Sequence, residues 1–377
     1  MTHVSPSVLA MVLLLVSPAT GQERVTPTSP TRGGKPLGEP WANVASGVKR
    51  LQWPKWSVPN DLAPWRAHER SQTHGTMMRC LGDLPPRPNP SRVKALSRED
   101  KGDYWLQRFE FDNGIDALVP GILLIPKKLN ATAPAVIGLH GHGGSAETIC
   151  TDTDNSQCVG PELAKRGYVV AAIDTYFCGR RSHRSKDERY RGASEPDLFK
   201  MHLWRGRSLW GLMQRDQQCL IDYLQTRKEV DKDRIGVTGM SMGGTGSWWL
   251  AAVDDRIKAV VCVAGFTRYE QLTAHNNVRL HGIYYYVPGI LKHFDTEAIY
   301  ALIAPRPMLM LSGDEDAGLP LDGIQLLEQK VGQVYTLHGR SGHFHSVVYR
   351  NTGHEYLPEM RRRMLAWFAK HLPGNGQ

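Results

Sequence analysis

Apolar positions along the chain fall into short runs separated by polar breaks rich in glycine and proline. From about residue 92 the pattern is strand-like. Residues 104–111 alternate apolar and polar side chains, and residues 118–125 are almost continuously apolar, so both predict antiparallel strands. Residues 134–139 and 168–173 are short, β-rich runs of the kind buried on both faces. Residues 204–224 repeat apolar side chains at helical spacing. A strand follows at 234–238, a helix at 243–252, and strands at 259–264 and 307–311. A helix near 322–329, a last strand at 346–349 and a final helix at 357–371 complete the series. Strands alternating with helices predict an α/β protein with a mostly parallel, twisted sheet flanked by helices and antiparallel strands at its N-terminal edge. Catalytic groups in such a sheet are expected at the carboxyl ends of the strands.

The flanks read differently. Residues 8–16 form an apolar run followed by Ser17-Pro18 and the small-residue series Ala19-Thr20-Gly21. This is the layout of a signal peptide cut after Gly21, and the run is too short to span a bilayer. The protein is therefore expected to be secreted or periplasmic, with no membrane partner after cleavage. Residues 22–45, rich in Pro, Thr, Gly and Ser, read as a flexible leader. The remainder, 46–377, reads as one domain. Its first part (46–91) carries Trp and Pro without a clear period and is expected to wrap the surface. The segment 266–300, with Tyr284-Tyr285-Tyr286, lies between two core strands and is a candidate cleft wall.

Composition adds little beyond this frame. The chain has 377 residues, of which 41% are hydrophobic and 22% charged, enough for a sizeable core. A formal charge of +9 could signal nucleic acid or an acidic polymer, but Lys and Arg are scattered and no nucleic-acid motif is present. Of the six cysteines, Cys150 and Cys158 stand close together in a polar loop, where a disulfide is one expectation for an exported protein. Cys219 and Cys262 fall on core positions. No Cys/His spacing suggests a zinc site, and the chemistry below calls for no metal or organic cofactor.

The residues that carry chemistry begin at Gly239-Met240-Ser241-Met242-Gly243. A β-branched strand runs directly into this G-x-S-x-G series and a helix follows it, which is the context of a nucleophile elbow. The serine must stand on a sharp turn to expose its Oγ, and the glycines allow the strand and helix backbones to approach. An oxyanion needs two backbone donors. The N–H of Met242 is one candidate. The other is the N–H of His142 in the loop Leu139-His140-Gly141-His142-Gly143-Gly144. An orienting acid is expected next in the chain, then a base. The strand at 307–311 ends in Ser312-Gly313-Asp314-Glu315-Asp316, which offers three carboxylates. Asp316 is chosen over Asp314 and Glu315 because it sits one turn past the strand end. His343 and His354 compete as base. Only His354 lies beyond the carboxyl end of the last strand and ahead of the final helix, so it is preferred.

These residues resemble the α/β-hydrolase superfamily, and within it the dienelactone-hydrolase-like and acetyl-xylan-esterase-like branch. The resemblance covers roughly residues 92–373. It rests on His140-Gly141-His142-Gly143-Gly144, on Asp231 followed by Arg234 to Gly244, on Ala304-Pro305-Arg306-Pro307, on Gly313-x-x-Asp316-x-x-x-Pro320 and on Gly353-His354. It implies the α/β-hydrolase fold with Ser241 as nucleophile, Asp316 as acid and His354 as base. Dienelactone hydrolases use a cysteine, so Ser241 implies an esterase instead. Glucuronoyl esterases are similar at a greater distance, since their serine precedes Arg-Asn-Gly-Lys where this chain has Met242-Gly243-Gly244. The implied substrate is a small-molecule or polysaccharide ester, against which Tyr284, Tyr285 and Tyr286 could stack. A prolyl-oligopeptidase-like peptidase and a non-catalytic binding protein on a hydrolase scaffold are the rival readings.

Overall fold

The chain is represented by a computed structural model that describes residues 52–129 and 131–374. The expected signal peptide (1–21) and leader (22–45) lie outside the described residues, as does the start of the expected wrap. Nine strands form one sheet: β1 (Lys94–Asp100), β2 (Tyr104–Asp112), β3 (Leu118–Pro126), β4 (Ala133–Leu139), β5 (Val169–Ile173), β6 (Val230–Met240), β7 (Ile257–Val263), β8 (Met308–Gly313) and β9 (Phe344–Tyr349). Their order is β1-β2-β3-β5-β4-β6-β7-β8-β9. The pairs β1–β2, β2–β3 and β3–β5 are antiparallel. From β5 onward every pair is parallel. This is the expected mixed sheet with its antiparallel strands at the N-terminal edge.

The apolar runs explain the layering. Val260 to Val263 on β7 and Val169 to Ala172 on β5 have no solvent exposure, because helices cover both faces of the parallel strands. The edge strand β1, with Lys94, Arg98, Glu99 and Asp100, is exposed along most of its length, and charge there discourages pairing with another chain. Among the described residues, ten α-helices of five residues or more surround the sheet. They are α1 (Arg70–Leu81), α2 (Ala146–Cys150), α3 (Gly160–Lys165), α4 (Glu195–Trp204), α5 (Leu209–Leu224), α6 (Met242–Val253), α7 (Tyr269–Ala274), α8 (Thr296–Ala301), α9 (Leu321–Leu337) and α10 (Pro358–His371). None is long and apolar enough to cross a membrane.

Three expectations change. The single helix predicted over 204–224 is two helices. Gly206 takes φ +72° between them, and Ser208 caps the second by accepting the Gly211 N–H at 3.0 Å. The wrap at 46–91 contains α1, in which only Met77 and Leu81 are fully buried. So narrow a stripe leaves no visible period, yet each buried side chain contributes about 1.5–3 kcal/mol. The buried Arg215 guanidinium donates to the Pro85, Pro86 and Asn113 carbonyls and anchors the chain after α1. Finally, Cys150 and Cys158 are both buried free thiols, so the expected loop disulfide is not formed. Desolvation pushes both thiols up from their usual range.

The segment 266–300 is folded and fastened at both ends. The Asp295 carboxylate accepts the Tyr269 and Glu270 N–H groups of α7 at 3.0 and 2.9 Å and the Thr296 N–H of α8 at 2.7 Å. Arg268 donates to Glu297 at 2.9 Å. Its two termini are thereby held together, and the stretch between them projects over the carboxyl ends of the strands.

Candidate active site

Ser241 occupies the turn between β6 and α6 with φ 59° and ψ −120°. A non-glycine residue at positive φ is costly, and three features hold it there. The Ser241 N–H donates to the Val263 carbonyl at 2.9 Å, and its own carbonyl accepts the Thr245 N–H at 2.8 Å. The strand and helix approach so closely that a Cβ on Gly239 would lie 2.5 Å from the Gly243 backbone, and one on Gly243 would overlap the Leu139 carbonyl. The two glycines are therefore required by space, as the G-x-S-x-G pattern suggests.

The loops after β8 and β9 bring the remaining groups to this turn. Asp314 N–H donates to the Tyr349 carbonyl at 3.0 Å and Glu315 N–H to the Thr352 carbonyl at 2.9 Å. Asp314 spends its carboxylate inside this knot, accepting the Thr352 N–H at 3.3 Å, and Glu315 faces the cavity. Asp316 alone among the three meets the imidazole. His354 Nδ1 lies 2.6 Å from Asp316 Oδ2, and His354 Nε2 lies 2.8 Å from Ser241 Oγ. Asp316 Oδ1 also accepts the Gly318 N–H at 2.9 Å. The hydrogen bond to Asp316 raises the His354 pKa above its usual value despite partial burial. His343 sits at the other end of β9 and donates Nδ1–H to the Pro305 carbonyl at 2.8 Å, away from Ser241.

The two candidate oxyanion donors flank the serine. Among the described residues, the backbone N–H groups of His142 and Met242 have no protein partner, and both residues line the cavity that contains Ser241. His140 is committed elsewhere. Its buried ring donates Nδ1–H to the Gly141 carbonyl at 2.9 Å and accepts the Thr175 N–H on Nε2 at 3.2 Å. Burial holds this imidazole below its usual range, so it fixes the loop as a neutral ring.

The cavity has a volume of about 610 Å³. Residues 279–282 and Tyr284 form one wall, so part of the segment 266–300 does line the cleft. Of the three tyrosines expected to contact substrate, only Tyr284 faces this cavity. Tyr285 is 3% exposed and packs edge-on against Tyr269 and Trp210, which makes it core. Tyr286 turns away and donates its hydroxyl to the Val278 carbonyl at 2.8 Å. Consecutive residues in an irregular turn point in different directions, so one triplet could not supply three wall residues.

Two contributors were not found from sequence. His281 Nε2 donates to the Gly318 carbonyl at 3.2 Å and its ring stacks on Tyr285 at 4.8 Å. It braces the Asp316 loop from the opposite wall. Glu195, the first residue of α4, accepts from His142 Nε2 at 2.8 Å. The helix-start series Ser194-Glu195-Pro196-Asp197 was readable, with Ser194 as cap and proline in the first turn. Its meeting with a loop 53 residues earlier was not.

The arrangement can draw a proton from Ser241 toward His354 while a buried carboxylate fixes the ring, with two free donors beside the reacting centre. Comparison with known proteins agrees with the fold. A family model described as Abhydrolase family matches residues 47–365. The Bacillus subtilis (strain 168) protein YtaP, named as a candidate hydrolase, is 36% identical over 308 residues, covering 78% of this chain and 98% of its own. Among solved structures, a candidate acetyl xylan esterase from Bacteroides fragilis aligns with a TM-score of 0.64 at 21% identity, over 89% of this chain and 90% of that one. A glucuronoyl esterase from Solibacter usitatus aligns with a TM-score of 0.60 at 17% identity, over 85% and 99%. The chain belongs to the Abhydrolase family and has the α/β-hydrolase fold.

Proposed function

We propose that the protein is a serine carboxyl-ester hydrolase. The observation that carries the reading is the continuous line from Ser241 Oγ through His354 to the buried Asp316, with contacts of 2.8 and 2.6 Å. His354 takes the hydroxyl proton as Ser241 Oγ attacks the ester carbonyl carbon. The carbonyl oxygen becomes an oxyanion held by the N–H groups of His142 and Met242. The imidazolium, stabilised by Asp316, then protonates the departing alkoxide as the C–O bond breaks. Water attacks the resulting acyl-serine by the same route in reverse, releasing the acid and restoring the serine hydroxyl.

For the substrate class, the reading is a carbohydrate ester outside the cytoplasm. The expected signal peptide, the open cavity and the carbohydrate-esterase neighbours support it. The test of the chemistry is hydrolysis of p-nitrophenyl acetate by wild type and Ser241→Ala, with fluorophosphonate labelling of Ser241 in parallel. Loss of both activity and label in the variant is expected, and equal rates would overturn the assignment. Acetate release from acetylated xylan tests the substrate class, and its absence alongside rapid p-nitrophenyl acetate turnover would remove that part alone.

A further inference from the structure

Glu195 sits behind the cavity wall, where three separate segments meet. Its side chain is only 15% exposed. Oε2 accepts from His142 Nε2 at 2.8 Å, and Oε1 accepts the Tyr284 backbone N–H at 3.1 Å. One carboxylate thus joins the loop after β4 to the wall segment after β7, while itself standing on the first turn of α4. Aromatic contacts close the same junction. The His142 ring lies 5.5 Å from Tyr284 with 23° between planes and 5.6 Å from Phe177, and Phe177 and Tyr284 are themselves 5.6 Å apart. Space is tight around the carboxylate, since a Cβ on Gly282 would lie 2.5 Å from Glu195 Oε1 and 2.6 Å from the Tyr284 ring. Gly282 has an ordinary φ of −65°, so its glycine serves clearance, not conformation. Burial opposes the charged form of Glu195, but the His142 hydrogen bond and the Tyr284 N–H outweigh it and keep the carboxyl below its usual pKa. An ionised carboxylate here accepts from both partners simultaneously.

We infer that Glu195 is a positioning residue that locks the oxyanion loop and the cleft wall into one unit, fixing where the His142 N–H points. The inference rests on the acyl-transfer reading of Ser241. Glu195 touches neither the nucleophile nor the cavity, so it acts through His142 and Tyr284. The His142 ring is half exposed to solvent, and its loop carries Gly141, Gly143 and Gly144. Bonds from His140 and Gln157 to Gly141 and from the Gly144 N–H to the Gly141 carbonyl hold the rest of the loop, and the Glu195 carboxylate is the hydrogen-bonding partner of the His142 side chain itself. An oxyanion donor displaced by about an ångström costs on the order of tenfold to hundredfold in rate.

The experiment compares full-length wild type, Glu195→Ala, Glu195→Gln and Gly282→Ala on p-nitrophenyl acetate, with fluorophosphonate labelling rates, pH profiles and melting curves. Glu195→Ala is expected to lower kcat about tenfold to hundredfold with KM within about threefold. The labelling rate should fall in step, because the phosphonyl oxygen uses the same donors. The acid limb of the pH profile should stay in place, because the Asp316–His354 pair is untouched. Glu195→Gln keeps an acceptor for Tyr284 and should recover part of kcat, and Gly282→Ala should reproduce the loss. Wild-type kinetics in Glu195→Ala would overturn the inference. So would a kcat loss in which the acid limb shifts equally, or unfolding of all three variants, either of which assigns Glu195 to scaffolding. If instead Ser241→Ala keeps its activity, the acyl-transfer reading fails and not this lock alone.

Discussion

His354 Nδ1 stands 2.6 Å from Asp316 Oδ2, and the partners differ sharply in exposure: the carboxylate is 3% exposed and the imidazole side chain 47%. A buried acid bonded to an accessible ring can fix one tautomer while the other nitrogen meets substrate. In the proposed mechanism His354 must be neutral to take the Ser241 proton. Its pKa is raised by the Asp316 hydrogen bond, so kcat/KM should climb with pH through a value above 6.5 and level off beyond it. Asp316→Asn should lower kcat by about a thousandfold to ten-thousandfold. Its residual activity should show an acid limb moved to lower pH, because the group that raised the pKa is gone. A pH–rate series on both proteins checks this.

A fully buried ion pair lies among the loops after β5. Arg181 Nη1 donates to Asp216 Oδ2 at 2.7 Å, with side chains 2% and 0% exposed. Asn113 donates to the other oxygen of Asp216 at 3.3 Å. Asp216→Ala strands a guanidinium in the interior and should cost about 3–5 kcal/mol. Replacing both partners, as Arg181→Met with Asp216→Leu, should cost markedly less, because no uncompensated charge remains. Urea unfolding of the single and double variants measures the difference.

The contrast between these two sites tells what a sequence discloses. The setting of Ser241 was readable because an elbow needs a local pattern: strand, two glycines, helix. The parallel strands were readable for the same reason, since burial on both faces leaves continuous apolar runs such as the one in β7. Asp316 was preferred over Asp314 for its distance past the strand end, and the structure places Asp316 against His354 while the Asp314 carboxylate accepts the Thr352 N–H. What stayed hidden is non-local. Nothing near Glu195 announces His142, and nothing in Tyr284-Tyr285-Tyr286 says that one ring faces the cavity and another the core. Helix α1 was hidden because two buried residues are too few to make a period.

Close backbone packing gives a sharper test near His354. A Cβ on Gly313 would overlap the Thr352 carbonyl and lie 2.7 Å from the Gly353 carbonyl, whereas one on Gly353 meets nothing within 4 Å. Gly313→Ala should therefore push the loop carrying His354 away from Asp316. The expected outcome is a loss of about 1–3 kcal/mol in stability with a kcat lower by at least about tenfold. Gly353→Ala, one residue from His354, should fold and turn over close to wild type. Equal behaviour of the two variants would show that clearance at Gly313 does not set the loop.

The far end of the sheet carries a cluster that should govern acid stability. His371 on α10 lies 4.2 Å from Trp367 and 5.3 Å from His343, ring to ring. Burial, and then the charges of Lys370, His343 and His345, lower its pKa to about 4. The unfolded chain has an ordinary histidine value of about 6.5, so between pH 6.5 and 4 the unfolded state binds more protons than the folded one. Stability linked to this ring is thus fully present above about pH 6.5 and is lost as pH falls toward 4. His371→Gln removes the titration while keeping a polar side chain of similar length. Its urea midpoint should decline less steeply than wild type from pH 7 to pH 4, with the two slopes converging above pH 7. Parallel declines across that window would mean that other histidines whose pKa is lowered by desolvation, such as His140 and His281, carry the acid sensitivity.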